Sequence, residues 1–364
     1  MNQDFLLSSY TYDLPQELIA QAPAVPRDSS RLLIVNSRRS PIHATFHDLP
    51  NWLQPGDLLV LNNTRVIPAR LYGTKTTGSR VEVLLIEEKS PNCWLALVKP
   101  GKRFTIGAKI NFDIIGSKQT TTNNPLQATV IAKEEATGGR ILQFELPPEK
   151  SLYSVLDDYG QLPLPPYITD SNAPEERYQT VYSSQPGAIA APTAGLHFTP
   201  ELLAELERKG IEQTQITLHV GIGTFRPVET EEIKNHAMHQ EWIEVSEASV
   251  AKIKDTKARG GRVIAVGTTA TRALEGAAKE AKSDSIEPFR GQTDLFIYPG
   301  YRWQVVDGLI TNFHLPGSSL LMLVSAMIGR ERLLELYQEA IALKYRFYSF
   351  GDAMLILPEA EEMR

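Results

Sequence analysis

Arg262-Val-Ile-Ala-Val-Gly-Thr-Thr-Ala-Thr-Arg272 decides the fold class of this chain. The apolar, β-branched first half predicts a buried strand, and Gly267 supplies the tight turn into a helix over 269–281. A strand, a glycine turn and a helix in direct succession are typical of α/β domains. The unpaired N–H groups at such a helix start bind a carboxylate, a ribose or a phosphate, so we expect Gly267, Thr268 and Thr269 to contact a ligand.

Helices and strands alternate around this stretch. Helices are predicted over 200–209 and 246–259, with a strand over 211–220 between them, and a long helix is predicted over 319–344. Thr199 is the expected N-cap of the first of these helices. This alternation predicts an α/β domain with a largely buried sheet.

A contrasting segment lies between residues 58 and 153. Short β-type runs follow one another there without helices, separated by Gly, Pro, Thr and Asn turns, which indicates a small barrel or sandwich. Because the first 50 residues again mix helix and strand, we interpret this segment as an insertion. The predicted organisation is a discontinuous α/β domain, 1–57 plus 154–364, with an inserted β domain at 58–153.

The composition is typical of a globular protein, since 42% of the 364 residues are hydrophobic and 22% are charged. This length favours two domains. The single cysteine, Cys93, excludes an internal disulfide and a thiolate metal cluster, and it fits a reducing compartment. The N-terminus does not resemble a signal peptide, and the longest apolar run, 320–328, is too short to cross a bilayer. We expect a cytoplasmic protein and, because no dimerisation heptad is visible, a monomer.

The net charge of −6 conceals a basic segment. Between residues 58 and 110 the acids are Glu82, Glu87 and Glu88, whereas nine lysines and arginines occupy the same window. An ordinary solvated face or an RNA-binding surface explains this bias. A second mixture of cations and aromatics, at 344–352, suits base stacking or a packed domain edge. The candidate RNA contacts are Arg65, Arg70, Lys102, Arg103, Tyr345 and Arg346.

Histidines are concentrated in the second half of the chain. Five of the seven are His197, His219, His236, His239 and His314. Imidazole titrates near neutral pH, so this concentration indicates proton transfer, a metal, or core hydrogen bonds for single members. The spacing of His236, His239 and Glu241 lacks the i, i+4 pattern of zinc peptidases, which favours hydrogen bonds to a polar ligand over a metal site.

Several loops have the composition of a ligand pocket. Residues 190–199 carry almost no polar side chains, so we expect either a buried pocket-lining loop or a loop packed under a helix. In Gly221-Ile-Gly223, at the end of a predicted strand, glycine allows a ligand to approach the backbone. Asp294 lies on an otherwise apolar predicted strand, where a carboxylate needs a partner. The candidate binding residues in these loops are Thr193, Gly195, Gly221, Gly223 and Asp294.

Nine blocks spread along nearly the whole chain carry a resemblance. The blocks are Arg27-Asp-Ser-Ser-Arg-Leu-Leu, Gly56-Asp-Leu-Leu-Val-Leu-Asn-Asn-Thr-Arg-Val-Ile-Pro-Ala-Arg-Leu, Glu176-Arg-Tyr-Gln-Thr-Val-Tyr, Ala191-Pro-Thr-Ala-Gly-Leu-His-Phe-Thr, Thr217-Leu-His-Val-Gly-Ile-Gly-Thr-Phe, Met238-His-Gln-Glu, Val266-Gly-Thr-Thr, Ile310-Thr-Asn-Phe-His-Leu-Pro and Arg346-Phe-Tyr-Ser-Phe-Gly-Asp-Ala-Met. In this order they resemble the S-adenosylmethionine:tRNA ribosyltransferase-isomerase family.

The resemblance implies an α/β mixed fold, in which an α/β domain with a large mixed sheet carries an inserted small antiparallel β-barrel. It also implies an activity. S-adenosylmethionine donates its ribosyl group to 7-aminomethyl-7-deazaguanine at the tRNA wobble position, giving epoxyqueuosine-tRNA, adenine and methionine. S-adenosylmethionine is then a consumed co-substrate, and no metal or redox cofactor is expected.

This chemistry gives the candidate residues expected roles. A base must remove a proton beside the sulfonium, and the departing adenine and the attacking amine need further proton transfers. We expect His197 and His314 to be the proton-transfer pair, with His219 as the next candidate. His239 and Glu241 are expected to bind ribose hydroxyls or the methionine amine. The other substrate-binding candidates are Thr193, Gly195, Gly221, Gly223, Gly267, Thr268, Thr269 and Asp294.

Two other classes of protein stay open. A metal-dependent hydrolase would use His236, His239 and Glu241, and a non-catalytic RNA-binding protein would use the basic segment and the aromatic tail. Methyl transfer from S-adenosylmethionine is disfavoured because the dinucleotide-like glycine fingerprint is missing.

Overall fold

A computed structural model describes residues 3–36, 40–115, 126–135, 137–169, 174–221, 228–283 and 285–357. The chain divides into two compact units. The first unit comprises Met1–Thr64, Pro166–Gln185 and Ala191–Arg364, and the second comprises Arg65–Pro165 and Pro186–Ala190. Within the described ranges, no helix is both long enough and apolar enough to cross a membrane.

The secondary structure alternates as the sequence predicts. The strands are β1 (Arg31–Asn36), β2 (Ile42–Thr45), β3 (Leu58–Asn62), β4 (Thr64–Val66), β5 (Arg70–Lys75), β6 (Arg80–Ser90), β7 (Cys93–Lys99), β8 (Lys109–Phe112), β9 (Gln127–Lys133), β10 (Arg140–Phe144), β11 (Gly160–Gln161), β12 (Gln185–Ala188), β13 (Glu212–Leu218), β14 (Glu241–Val245), β15 (Val263–Val266), β16 (Phe289–Thr293), β17 (Gly308–Asn312) and β18 (Ala353–Leu357). The α-helices are α1 (Leu156–Tyr159), α2 (Pro200–Arg208), α3 (Glu247–Ala258), α4 (Thr268–Glu280), α5 (Ser319–Ile328) and α6 (Arg330–Ala342).

The first unit is built on a nine-stranded mixed sheet with the strand order β16-β14-β13-β3-β15-β17-β18-β1-β2. The four adjacent strands β13, β3, β15 and β17 run parallel to one another. All five residues of β3 and all four of β15 are buried, as expected for central strands that are covered on both faces. The predicted α/β domain with a large mixed sheet is therefore confirmed.

Local sequence signals explain where the helices begin and end. Thr199 accepts a hydrogen bond of 3.1 Å from the backbone N–H of Leu202, which confirms it as the N-cap of α2. Leu202 and Leu206 then bury one face of this helix against the core of the sheet. The predicted long helix over 319–344 is instead two helices. Gly329, with φ of 86°, interrupts it in a left-handed conformation that an α-helix does not allow.

The second unit is an antiparallel β-barrel. Its strands pair in the order β5-β6-β7-β10-β9-β8, and β8 pairs with β5 to close the ring, while β11 extends β5. Buried Arg140 is satisfied inside this unit by the carbonyl oxygens of Gly101, Phe104 and Gly139, at 2.7, 2.8 and 2.9 Å. The predicted antiparallel barrel is confirmed, and of the two sequence-based alternatives it excludes the sandwich. Strands β4 and β12 form a separate two-stranded sheet.

The division between the units differs from the predicted boundaries at 58 and 153. Strand β3 pairs with β13 and β15 in the large sheet, so its Leu58-Leu-Val-Leu run is not a barrel strand. A short apolar run carries no signal that separates a central parallel strand from a barrel strand, because both are buried. At the other end, residues up to Pro165 belong to the barrel unit.

Candidate active site

The carboxyl ends of the four parallel strands meet at one edge of the nine-stranded sheet. His219 and Gly221 follow β13, Asn63 follows β3 and Gly267 follows β15. His314 lies two residues beyond β17. In open α/β sheets ligands bind in the crevice outside this edge. Topology thus places several of the predicted site residues on one edge of one unit.

Neighbouring antiparallel strands add further groups to the same edge. Glu241 begins β14, which is antiparallel to β13, and Asp352 precedes β18, which is antiparallel to β17. Ser30 precedes β1, which is parallel to β18. The chain reversals therefore bring the starts of three strands beside the ends of four others.

His197 is buried and both of its ring nitrogens are hydrogen-bonded. The Asn312 amide donates to Nε2 over 3.1 Å, so Nδ1 carries the proton and donates to Ser30 Oγ at 2.7 Å. The ring stacks on Phe46, with 4.9 Å between the ring centroids. Burial lowers the pKa of His197 to about 4, which is opposed by the nearby charge of Asp352. The imidazole is consequently neutral at pH 7.

His314 is also buried, but one of its ring nitrogens is available. Nε2 lies 2.8 Å from Thr311 Oγ1, while Nδ1 has no hydrogen-bond partner in the described part of the chain. The backbone N–H of His314 donates to the Tyr337 hydroxyl at 2.9 Å, and its carbonyl oxygen accepts from Tyr12. These contacts hold the residue rigidly, and burial lowers its pKa to about 3.

His219 presents a second available nitrogen on the other side of Gly267. Its Nδ1 lies 2.8 Å from the hydroxyl of buried Thr64, and its ring stacks on Trp242 with 5.0 Å between centroids. Nε2 has no hydrogen-bond partner within the described ranges. Burial lowers the pKa of His219 to about 4. Unlike His197 and His314, this residue is only half-buried.

Glu241 forms a buried ion pair with Arg272. One carboxylate oxygen accepts from Arg272 Nη1, and the other accepts from the backbone N–H of Gly221 at 3.1 Å. Arg272 Nε also donates to the carbonyl oxygen of Leu295 at 3.1 Å. This pairing argues against the metal interpretation of His236, His239 and Glu241, because the carboxylate already neutralises a guanidinium. Across the described residues, no three His, Cys, Asp or Glu side chains are arranged to hold a metal ion.

The start of α4 lies at the centre of the edge. Gly267 takes φ of 93°, a left-handed conformation that favours glycine, and it provides no side-chain cap. Thr268 and Thr269 are buried in the first turn. The Thr269 hydroxyl is buried without a hydrogen-bond partner in the described structure, and it lies 3.5 Å from the position that a Cβ on Gly267 would occupy. The helix start therefore keeps open donors, as the sequence predicts for a ligand site.

The loop over 190–199 is buried, which agrees with its apolar composition, and it forms a 3₁₀ turn at Thr193–His197. Thr193 donates to the side-chain oxygen of Asn312 at 3.1 Å, so it orients the amide that contacts His197. A Cβ on Gly195 would lie 2.1 Å from the hydroxyl oxygen of Tyr182. Packing against Tyr182 therefore accounts for a glycine at this position.

Three other candidates have different outcomes. Asp294 is exposed and follows the end of β16, so the premise that it is a buried carboxylate on an apolar strand is wrong. Apolar composition suggested a strand there, whereas the chain leaves the sheet after Thr293.

His239 is half-buried and lies close to His236. The pKa of His236 is lowered first by its own burial and next by the charge of His239. Gly223 lies outside the described residues.

The RNA candidates of the barrel unit differ in availability. Arg65, Lys102 and Arg103 are exposed. Arg70 is partly buried and its guanidinium forms an ion pair of 2.9 Å with Glu82. Three of these four cations therefore present their charge to solvent.

Tyr345 is the one RNA candidate whose expected contact the structure contradicts. Its side chain is 1% exposed, its hydroxyl lies 2.7 Å from His43 Nδ1, and the Arg31 guanidinium covers its ring. A ring in this environment cannot stack on a base, so the packed-edge interpretation of the segment applies. Arg346 is partly exposed and forms an ion pair of 3.6 Å with Asp352.

Sequence reasoning missed the residues that orient the candidates. Ser30, Asn312 and Arg272 lie inside or beside blocks that carry the family resemblance, but each reads as an ordinary polar residue beside a strand or helix. Tyr182 likewise ends one of these blocks. Their partners are distant in sequence, since His197 lies 167 residues from Ser30 and 115 from Asn312. For Ser30 and Asn312 the available signal was their position at strand ends.

Comparison with known proteins identifies the family. A family model described as queuosine biosynthesis protein matches residues 7–356. A Nostoc protein named S-adenosylmethionine:tRNA ribosyltransferase-isomerase is 64% identical, covering 99% of this chain and 94% of the relative. A protein of the same name from Desulforamulus reducens is 48% identical, covering 96% and 99%. The crystal structure of S-adenosylmethionine tRNA ribosyltransferase from Thermotoga maritima is 37% identical, with a TM-score of 0.55, and covers 96% of this chain and 100% of that one.

Proposed function

Because this chain belongs to the queuosine biosynthesis protein family, we propose that it is an S-adenosylmethionine:tRNA ribosyltransferase-isomerase. It transfers and isomerises the ribosyl group of S-adenosylmethionine onto 7-aminomethyl-7-deazaguanine at the tRNA wobble position. The products are epoxyqueuosine-tRNA, adenine and methionine. The observation that carries the proposal is the group of neutral, buried histidines at the carboxyl edge of the large sheet, which suits proton transfer away from water.

The available ring nitrogens separate the roles of three histidines. His314 is the base for the ribose C5′ proton, because its Nδ1 is unpaired within the described residues and burial keeps its ring neutral. His219 accepts the proton of the aminomethyl group, because it is half-buried and so accessible to a macromolecule. His197 acts in proton transfer only when Asn312 releases Nε2, so its first role is to position the loop over 190–199.

The remaining edge residues bind S-adenosylmethionine. His239 and Glu241 contact ribose hydroxyls or the methionine amine, and the α4 start from Gly267 to Thr269 contacts the methionine carboxylate or ribose. The other candidates that support this role lie in neighbouring loops. They are Thr193, Gly195 and Gly221, together with Gly223 on the ground of the sequence alone and the exposed Asp294.

The exposed cations of the barrel, Arg65, Lys102 and Arg103, contact tRNA phosphates, and Arg70 and Arg346 do so where their acidic partners allow. A tRNA substrate supports a cytoplasmic location for the enzyme. It acts as a monomer, with no resident metal or redox cofactor. Sedimentation of the pure protein and metal analysis with and without a chelator test the last two statements.

The decisive assay incubates the purified chain with S-adenosylmethionine and tRNA carrying 7-aminomethyl-7-deazaguanine. Equal amounts of adenine, methionine and modified tRNA are expected. Formation of S-adenosylhomocysteine would indicate methyl transfer instead, and tRNA binding without product would indicate a non-catalytic RNA-binding protein. Unmodified tRNA is the matched control and should release no adenine.

A further inference from the structure

The structure assigns Arg272, together with the start of α4, to a subsite for the carboxylate of an α-amino acid group. This inference rests on the proposed function, under which the group is the methionine part of S-adenosylmethionine. Arg272 was not among the residues that the sequence indicated. The presence of Arg272 favours the carboxylate over the ribose as the ligand group that binds at the start of α4.

The first observation is an incomplete set of hydrogen bonds on a buried cation. Arg272 is 4% exposed, its Nη1 contacts Glu241 and its Nε contacts the carbonyl oxygen of Leu295. Its Nη2 is buried and has no partner in the structure as described. Guanidinium N–H groups left unpaired in a protein interior are costly, so such an atom indicates a missing acceptor.

The second observation lies one helical turn away. Thr269 is 9% exposed and its hydroxyl also has no partner within the described residues. Thr269 and Arg272 are three positions apart on α4 and therefore share a face, and side chains on a helix lean toward its N-terminus. The N–H groups of the first turn, uncapped at Gly267, add further donors. All of these groups donate, so the ligand group must accept.

The charge balance decides which acceptor fits. Glu241 neutralises Arg272, so a phosphate carrying two negative charges would meet a carboxylate at the same place. An α-amino acid group carries one negative and one positive charge. Its carboxylate faces Arg272 and the positive end of the α4 dipole, and its ammonium faces Glu241. The Arg272–Glu241 pair is thus complementary to a zwitterion.

The test compares S-adenosylmethionine with its decarboxylated analogue, using saturating tRNA that carries 7-aminomethyl-7-deazaguanine. We expect the unmodified enzyme to prefer S-adenosylmethionine in kcat/KM by roughly 10- to 100-fold. Arg272→Gln should abolish most of this preference, and Thr269→Val should lower it severalfold. The Thr269→Val variant decides the matter if Arg272→Gln fails to fold, because it retains the ion pair.

Two matched controls come from the same sheet unit. Thr256 on α3 also has a buried hydroxyl without a partner in the described structure, and Arg262 pairs with Asp57 at the opposite end of β15. Thr256→Val and Arg262→Gln should keep the full preference. Unchanged preference in both Arg272→Gln and Thr269→Val would overturn the subsite while leaving the proposed function intact.

Calorimetric binding of the two ligands to the enzyme–tRNA complex separates the two proposals. Absence of adenine release by the unmodified enzyme contradicts the proposed function. Preferential binding of S-adenosylmethionine that depends on Arg272 still supports the subsite in that case, and equal binding of the two ligands rejects it.

Discussion

The side-chain amide of Asn312 donates a hydrogen bond of 3.1 Å to Nε2 of His197. This contact fixes the neutral tautomer of the imidazole, whose Nδ1–H then reaches Ser30. It also links β17 to the buried turn that precedes α2. The amide therefore controls both the protonation and the position of His197.

Replacing Asn312 with Asp changes the protonation of His197. The carboxylate favours the charged imidazolium, so the pKa of His197 should rise from about 4 toward or above its ordinary value. Histidine-labelled protein followed by NMR between pH 5 and 8 should show a new titration in this variant. Asn63→Asp, another amide on the same edge, is the control and should leave His197 untitrated. If the His197 signal of the Asn312→Asp variant did not change between pH 5 and 8, the hydrogen bond between Asn312 and His197 would be contradicted.

His314→Gln tests the proposed base. The variant keeps a polar side chain of similar size but loses the basic nitrogen, so adenine release should fall by about 10²- to 10⁴-fold. His43→Gln is the matched control, because His43 is an exposed residue outside the edge. Turnover within threefold of the unmodified enzyme would remove His314 from its assigned role.

Gly195→Ala should destabilise the first unit by steric conflict. The new methyl group would lie 2.1 Å from the Tyr182 hydroxyl oxygen, which predicts a loss of about 1–3 kcal/mol in the free energy of unfolding. Tyr182→Phe removes that oxygen and should restore part of the loss in the double variant. Gly101→Ala, whose methyl would meet its nearest atom at 3.7 Å, should be nearly neutral. Urea unfolding of these variants and the unmodified protein measures this coupling, and strictly additive losses would exclude the conflict.

Acid should destabilise the protein through its buried histidines. His197 and His314 have pKa values of about 4 and 3 in the folded state, below the ordinary value of 6.5. The unfolded chain therefore binds protons first as the pH falls below 6.5, and stability decreases from there down to about pH 4 for His197 and about pH 3 for His314. The loss between pH 7 and 5 should be roughly 1–2 kcal/mol for each residue. His314→Gln should show a smaller loss in urea unfolding, whereas an identical pH dependence would show that His314 is not held neutral.

The exposed cations of the barrel should govern the salt dependence of tRNA binding. Removing Lys102 and Arg103 together should weaken binding and reduce the slope of log K against log salt by about 0.7–0.9 for each phosphate that the barrel no longer neutralises. Lys89→Ala is the control, since Lys89 already pairs with Glu87 at 2.6 Å. Filter binding across a salt series gives both slopes. Equal slopes in the double variant and the unmodified enzyme would show that Lys102 and Arg103 are not part of the tRNA-binding surface.

Periodicity and turn residues explain how much of the fold the sequence predicts. Val263–Val266 followed by Gly267 gives a strand, a turn and α4, because a β-branched apolar run and a left-handed glycine act locally. The α/β class and the barrel follow from such local signals. The position of β3 in the large sheet does not follow from them, because a four-residue apolar run is compatible with both a central parallel strand and a barrel strand.

The sequence by itself determined the histidine-bearing apolar loops, the family and the polar helix start, since these depend on residue type and short spacing. Only the tertiary structure decided which groups are available for chemistry. Among the described residues it paired both nitrogens of His197, left Nδ1 of His314 and Nη2 of Arg272 without partners, and buried Tyr345. These outcomes depend on partners far apart in the chain, and sheet order, which brings them together, is set by the packing of the whole unit.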